Sequence, residues 1–324
     1  MVSPIVIAIL GPTASGKSAL ALSVAERYGG EIVNCDSTAV YRGFDIGTDK
    51  LPPAGRLGVP HHLIDIADPC DDYTAAQYAR DAALAIRDIQ ARGRRAIVAG
   101  GTGFYYRALT RGLFPGPGRN AALRARLESI ANRRGAAFLH RMLGRFDPES
   151  GRRIQPRDTK RVVRALEVFL LTGRPLTAHF AETRSEIPDL EVLPLGLRLP
   201  ARLTSDRVTR RVEQQFEQGL LDEIRGLLLK GVPEGARPFG GLVYRQALEH
   251  LHGVRDEPST RALIAQENRR YARRQLIWFR KEPNLRWFDG PGESIATIDA
   301  VSRFLDLRLL GAGDEASLCS HGSS

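Results

Sequence analysis

The sequence predicts an α/β fold, a parallel sheet flanked by helices and interrupted by an α-helical insertion. Three observations lead there. Short apolar runs alternate with amphipathic stretches in the first third of the chain, the pattern of a sheet covered by helices on both faces. A glycine-rich loop follows the first apolar run directly. Positive charge is then concentrated in one Arg-rich stretch that breaks the alternation.

The elements follow in order. Residues 5–10, "IVIAIL", read as a buried strand, short and without polar alternation. "SALALSVAERYG" has helical spacing and stops at Gly29. "EIVNCD" is a second apolar run ending at Asp36, and "HHLIDI" a third strand. "YTAAQYARDAALAIRDIQARG" is an amphipathic helix closed by Gly93, and "RRAIVAGG" another buried strand. "LFPGPG" at 113–118 marks a linker. Beyond it the chain is mostly helical, and in "DTKRVVRALEVFLLTG" Asp158 serves as N-cap with Gly173 past the end. "VLPLGLRL" at 192–199 returns as a strand, and long helices are expected near 202–230 and 259–281. The expected organisation is therefore a P-loop-type α/β core over 1–114 and 191–310, a helical insertion over 115–190, and a disordered tail over 311–324.

Composition bounds the function. The chain has 324 residues and a formal charge of +10, which favours a polyanionic partner. Between Arg119 and Arg164 there are 13 Lys or Arg against 4 Asp or Glu. Such a run is either a solvated helical face or a nucleic-acid surface. Cys35, Cys70 and Cys319 form no C-x-x-C pair, so neither a zinc site nor a disulfide framework is expected. "MVSPIVIAIL" lacks a basic leader region, and no run approaches the ~20 apolar residues of a membrane span. A reducing cytoplasm is the expected compartment.

Four clusters carry chemistry. "GPTASGKS", Gly11 to Ser18 (Gly11, Pro12, Thr13, Ala14, Ser15, Gly16, Lys17, Ser18), fits G-x-x-x-x-G-K-[ST]. Its backbone N–H groups form an anion nest at a helix N-terminus, Lys17 adds a point charge, and Ser18 can ligate Mg²⁺. The motif specifies a di- or triphosphate and leaves the rest open, ATP included. A Walker-type acid is less clear: "AIVAGG" ends in glycines, and Asp36 and Asp65 end apolar runs that are short and imperfect. In "CDSTAVYRGFDIGTDK" Asp36 ends a strand beside the loop, where a carboxylate can bind Mg²⁺, act as a base, or merely form a turn. In "VAGGTGFYYRAL", Gly100, Gly101 and Gly103 allow close backbone approach to a ligand, and Thr102 offers a hydroxyl. In "ENRRYARRQLIWFRKE", Arg269, Arg270, Arg273 and Arg274 fall at helical spacing, with Trp278 and Phe279 expected in the core.

Taken in order, "GPTASGKS", "DSTAVYRGFDIGTDK", "PHHLIDIADP", "AGGTGFYYRAL", "RALEVFLLTGRPL" and "RRYARRQLIWFRKE" resemble the tRNA dimethylallyltransferases over roughly residues 5–290. The resemblance implies that the loop binds the diphosphate of dimethylallyl diphosphate. It implies transfer of the prenyl group to N6 of adenosine 37, in tRNAs reading codons that start with U, by a monomeric enzyme whose helical insertion grips the anticodon stem-loop. Carried over by position, Asp36 would be the general base. Lys17, Ser18 with Mg²⁺, and Arg207 or Arg211 would hold the diphosphate. Asp36, Ser37, Thr38 and Ala39 would meet the flipped-out adenine, with Thr102 at the base channel. Arg124 and the run Lys160, Arg161, Val162, Val163, Arg164 would contact tRNA.

Three departures stand out: Ala39 where the family often has Gln, Val243 before Tyr244 where it usually has Gly, and no acid near Pro200. The alternatives are a prenyltransferase acting on free AMP, ADP or ATP, a nucleotide-dependent RNA-binding switch, and a small-molecule kinase. The basic insertion disfavours the first, and the poor Walker-type acid the second.

Overall fold

The computed structural model describes residues 5–318. The chain divides into two compact units, one running to Thr110 and resuming at Asp189, the other Arg111–Pro188. The boundaries thus fall a few residues before the expected 114/115 and 190/191.

The first unit opens with β1 (Ile5–Leu10), α1 (Lys17–Tyr28), β2 (Gly30–Asn34), β3 (His61–His62), α2 (Ala75–Ala91), β4 (Arg95–Gly100) and α3 (Gly103–Arg111). Helices α4 (Ala121–Arg134), α5 (Ala136–Phe146), α6 (Pro148–Arg153), α7 (Thr159–Thr172) and α8 (Leu176–Phe180) make up the second unit. The first then resumes with β5 (Glu191–Arg198), α9 (Ala201–Glu217), α10 (Leu220–Leu229), α11 (Leu242–Leu251), α12 (Glu257–Phe279), β6 (Arg286–Asp289) and α13 (Ile295–Leu318).

The six strands form one parallel sheet in the order β3-β2-β4-β1-β5-β6. All six residues of β1 are buried, which is why this strand reads as an unbroken apolar run. Ile7 lies in register with Ile97 on one side and Leu193 on the other. Ile5, Ile7 and Ile9 pack with Leu20 and Val24 of α1 and Val301 and Leu305 of α13. From β1 the chain first crosses to β2 on one side and later returns to β5 on the other. A ligand crevice belongs at the carboxyl ends of strands where connections diverge in this way.

Local chemistry ends each element. Gly29 closes α1 at φ 62°, and Thr74 with Gln77 forms a capping box at α2. The expected strand at "HHLIDI" shrinks to two residues because Leu63 and Asp65 take positive φ, 62° and 58°. The expected helix over 202–230 breaks at Gly219, whose φ of 91° starts α10 as a separate helix. Nothing in the sequence announces strand β6, whose four residues are too few to show a period. Helix α13 runs to Leu318, into the stretch expected to be disordered. An established helix propagates one backbone bond at a time and needs no apolar spacing to do so. The rest of that stretch, 319–324, lies outside the described residues. Among the described residues no helix is long and apolar enough to cross a membrane.

The helical unit has its own core, in which Leu127 of α4, Leu139 and Leu143 of α5, and Val162, Val163 and Leu166 of α7 pack together. Its 78 residues carry 16 Lys or Arg and 7 Asp or Glu, so it holds +9 of the chain's +10.

Candidate active site

The carboxyl ends of the strands open into a cavity of about 930 Å³, within the usual range for small-ligand sites. Its wall includes the phosphate loop (Thr13, Ala14, Gly16, Lys17 and Ser18), the turn Asp36–Ala39, and Arg207 and Arg211 of α9. Gly11, Pro12 and Ser15 of the same loop are buried.

Gly16 adopts φ 87° at the N-cap of α1, and Ala14 also sits at positive φ, 62°. The loop closes on itself where Lys17 Nζ donates to the Pro12 carbonyl at 2.7 Å. Burial, and then repulsion by Arg211, lower the Lys17 ammonium to about 8. A buried ammonium so disposed has a strong incentive to take an anion.

Helix α9 closes this end. Arg207 Nε donates to the Ala14 carbonyl at 2.7 Å. Arg211 donates to Thr13 Oγ1 at 3.0 Å and pairs with Asp49 at 3.0 Å. Burial pushes the Asp49 carboxyl up to about 6, against the pull of Arg211. Both arginines implied by the resemblance therefore touch the loop.

Asp36 follows β2. Its Oδ1 accepts from Thr38 N at 2.9 Å and from the Thr38 hydroxyl at 2.7 Å, an Asx turn. Asn34 brackets it, with its Oδ1 accepting from Asp36 N and its Nδ2 donating to Asp36 O, both at 3.1 Å. Turn geometry thus uses one carboxylate oxygen and leaves Oδ2 free to take a proton. Thr102 stands behind the turn, where its Oγ1 accepts from Ser37 N at 3.0 Å. Its hydroxyl positions Ser37.

The glycines after β4 serve a different purpose from the one expected. A Cβ at Gly100 would fall 2.1 Å from the Cys35 carbonyl oxygen, at Gly101 2.5 Å from Gln275, and at Gly103 2.3 Å from the Trp278 ring. Each makes room for another part of the protein, and Gly100 also lines the cavity.

The sequence matches the IPP transferase family over residues 39–282. The chain belongs to that family. Among similar proteins are tRNA dimethylallyltransferases of Solibacter usitatus, 49% identical over 306 residues (92% of this chain, 98% of the relative), and of Geobacter metallireducens, 46% identical over 296 (91% and 96%). The crystal structure of the full-length tRNA isopentenylpyrophosphate transferase from Bacillus halodurans matches with a TM-score of 0.71 and 34% identity, over 98% of this chain and 100% of that one. A eukaryotic dimethylallyltransferase acting on tRNA matches with a TM-score of 0.75 and 25% identity, over 97% of this chain and 79% of that one.

In this chain the residues expected to contact RNA divide by orientation. Lys160 and Arg161 are exposed in the first turn of α7. Val162 and Val163 are only 1% and 3% exposed. They are core residues rather than RNA contacts, because helical periodicity turns neighbouring side chains to opposite faces. Arg124 and Arg164 also turn inward, both bonding to the buried Glu167. A buried carboxylate needs such partners, so these two serve the core first.

Sequence reading missed several residues that shape the cavity. Gln275, among the arginines of α12, accepts from Thr13 N at 2.8 Å and donates to the Gly101 carbonyl at 2.8 Å. It ties the phosphate loop to the turn after β4. Glu223 accepts from Asp45 N and Ile46 N, and Tyr244 donates to Glu223 and accepts from Gly47 N at 3.0 Å. A Cβ at Gly47 would sit 2.6 Å from the Tyr244 ring, which explains the glycine in "FDIGTDK". Lys50, buried in the cavity wall, bonds Asp45 at 2.8 Å and Asp65 at 2.5 Å. Val243 needs no positive φ, since it lies inside α11. Arg270 and Arg274 do line the cavity. The bonds of Gln275, Glu223 and Tyr244 join residues far apart in sequence, and no local pattern announces them.

Proposed function

We propose that this protein transfers the dimethylallyl group from dimethylallyl diphosphate to N6 of adenosine 37 in tRNAs reading codons that start with U, releasing diphosphate. The observation that carries this reading is one cavity lined by both a phosphate loop and the Asp36 carboxylate. Family membership narrows the chemistry to prenyl transfer to tRNA. The reading carries with it a cytoplasmic, monomeric enzyme.

Lys17, the loop N–H groups and Arg207 or Arg211 bind the donor diphosphate. The allylic C–O bond breaks as its carbon bonds to adenine N6, and the electron pair leaves on the diphosphate oxygen. These preorganised donors stabilise that developing charge. The exocyclic amine is a weak nucleophile, and Asp36 Oδ2 takes its proton as the C–N bond forms. Thr102 holds Ser37, and with it the Asp36–Ala39 turn, against the flipped adenine. Ala39 offers no polar side chain, so the adenine edge is left to Ser37, Thr38 and backbone groups. Mg²⁺ fits here: the Ser18 hydroxyl lies on the cavity wall with no protein partner among the described residues, and Mg²⁺ commonly takes few protein ligands beside phosphate oxygens. When bound, it offsets charge on the leaving diphosphate.

The helical unit supplies the RNA surface. Lys160 and Arg161 sit at the positive end of the α7 dipole, where basic side chains are unfavourable and an arriving phosphate is welcome. Replacing both with alanine is expected to raise the KM for tRNA severalfold and leave donor affinity unchanged. It should also make the salt dependence of tRNA binding shallower, by up to ~0.9 in log–log slope for each phosphate that is no longer neutralised. A tRNA titration identical to wild type would remove this turn from the RNA surface.

Donor affinity should depend on pH through Lys17. The ammonium is present below its value of about 8 in the empty site and is lost as pH rises. Binding of dimethylallyl diphosphate should therefore be flat up to about 8 and then weaken by up to about tenfold per pH unit. Calorimetric titration would show the break, and Lys17→Met should bind more weakly with no break there.

The direct test of function is transfer of label from dimethylallyl diphosphate to unmodified tRNA bearing adenosine at 37, with AMP as a competing acceptor. Label on tRNA alone is expected. Label on AMP would move the protein to the free-nucleotide branch, and label on neither would return the loop to a nucleotide.

A further inference from the structure

The turn between β6 and α13 lies directly on the phosphate loop. Gly292 N donates to the Ser15 carbonyl at 2.9 Å. A Cβ on Gly292 would fall 2.3 Å from the Gly16 carbonyl oxygen, and one on Gly16 would fall 2.1 Å from Glu293 Oε2. Two glycine backbones are thus pressed together, and this contact sets a carboxylate against the anion nest. Glu293 pairs with Arg207 Nη1 at 2.5 Å, while Arg207 Nε is held by the Ala14 carbonyl at 2.7 Å. Glu293 and Arg207 both line the cavity, with side chains 43% and 26% exposed. No acid near Pro200 in the sequence suggested this pair; its acidic partner comes from 86 positions further along the chain.

An acid at this place has a cost. It lies where a diphosphate would bring several negative charges, and it occupies a guanidinium that could bind them. We propose that Glu293 competes with the diphosphate for Arg207, so that the arginine changes partner when donor binds and returns to Glu293 when product diphosphate leaves. The inference rests on the donor reading above and adds a release function to it. With Nε anchored on the loop, only Nη1 must change partner, so the exchange needs a side-chain rotation rather than movement of α9. Coulomb repulsion between Glu293 and the bound diphosphate acts in the same direction. In the free enzyme the pair keeps a cation ready at the loop; after transfer, recapture of Arg207 weakens the hold on the product.

The test uses inorganic diphosphate with Mg²⁺ in calorimetric titrations of the full chain. Glu293→Gln is expected to bind diphosphate roughly fivefold more tightly, in proportion to the modest strength of a partly exposed ion pair. Steady-state transfer should show product inhibition strengthened by the same factor. In an Arg207→Ala background, the Glu293→Gln change should tighten binding by a clearly smaller factor, the part due to relief of repulsion alone. Unchanged or weaker binding by Glu293→Gln overturns the proposal, weaker binding pointing to a supporting role for the acid. Equal tightening without Arg207 also overturns the exchange, leaving repulsion alone. Failure of wild type to bind diphosphate at all, with ATP bound instead, would overturn the donor reading itself, and is distinguished by being independent of Glu293.

Discussion

Replacing Asp36 with asparagine is expected to leave a folded protein that, on the proposed function, still binds dimethylallyl diphosphate but transfers its prenyl group roughly 10²–10⁴-fold more slowly, the usual contribution of a positioned general base. The geometry makes this variant a clean one. Asparagine keeps an acceptor oxygen at Oδ1, so the bonds from Thr38 N and Thr38 Oγ1 survive and the turn holds its shape. What changes is the second oxygen, which becomes an NH₂ that cannot accept the adenine proton. Alanine would instead abolish the turn and confuse positioning with chemistry. Single-turnover transfer with labelled donor measures the step, and donor titration in parallel checks the binding site. A rate near wild type would exclude Asp36 as the base. A loss confined to donor or metal affinity would make it a ligand instead.

Replacing Glu167 with alanine should destabilise the helical unit by roughly 2–4 kcal/mol, somewhat less than breaking a fully buried pair, because the two arginines left behind keep access to water. The side chain is 0% exposed, and it accepts bonds from Asn120 N, Arg124 and Arg164. Its removal leaves two guanidinium groups, 26% and 29% exposed, facing a void. Hydrogen exchange of the α4–α7 amides reads the effect locally, which matters in a chain of two units where a single melting midpoint can mislead. Protection unchanged from wild type would mean that the triad contributes nothing net. The same carboxylate carries a pH dependence. Burial alone would raise its pKa, but the bonds from Arg124, Arg164 and Asn120 N outweigh burial and bring it from 4.5 down to about 2. The folded value lies below the unfolded one, so the stabilisation is complete above 4.5 and is lost as pH falls toward 2. It amounts to about 3 kcal/mol at most.

These two residues also mark how far sequence reading reaches. Asp36 is legible because it ends an apolar run close behind a phosphate loop, and both signals are local. Lys17 and Ser18 are legible for the same reason, since an anion nest at a helix N-terminus is built from consecutive residues. Glu167 is not, because inside "RALEVFLLTG" it reads as one polar position on a helix. Only the packing of α4 on α7 makes it the buried partner of Arg124 and Arg164, and thereby removes those arginines from the exposed basic face. Val162 and Val163 show a related limit. Lys160 to Arg164 is one continuous stretch of sequence, but the helix divides it between core and solvent.

The sequence alone determined the alternating order of strands and helices, the phosphate loop, the basic insertion and the carboxylate at the end of β2. Each of these is written in residues adjacent in the chain or spaced by one helical or strand period. Tertiary structure alone decided which cations face the loop, which glycines admit a neighbouring segment, and which acid confronts the phosphate loop. Gln275 reaches Thr13, Tyr244 reaches Gly47, and Glu293 reaches Arg207 because the returning half of the chain folds over the carboxyl ends of the sheet. Contacts between such distant positions have no local period, and so they become visible only once the chain has closed.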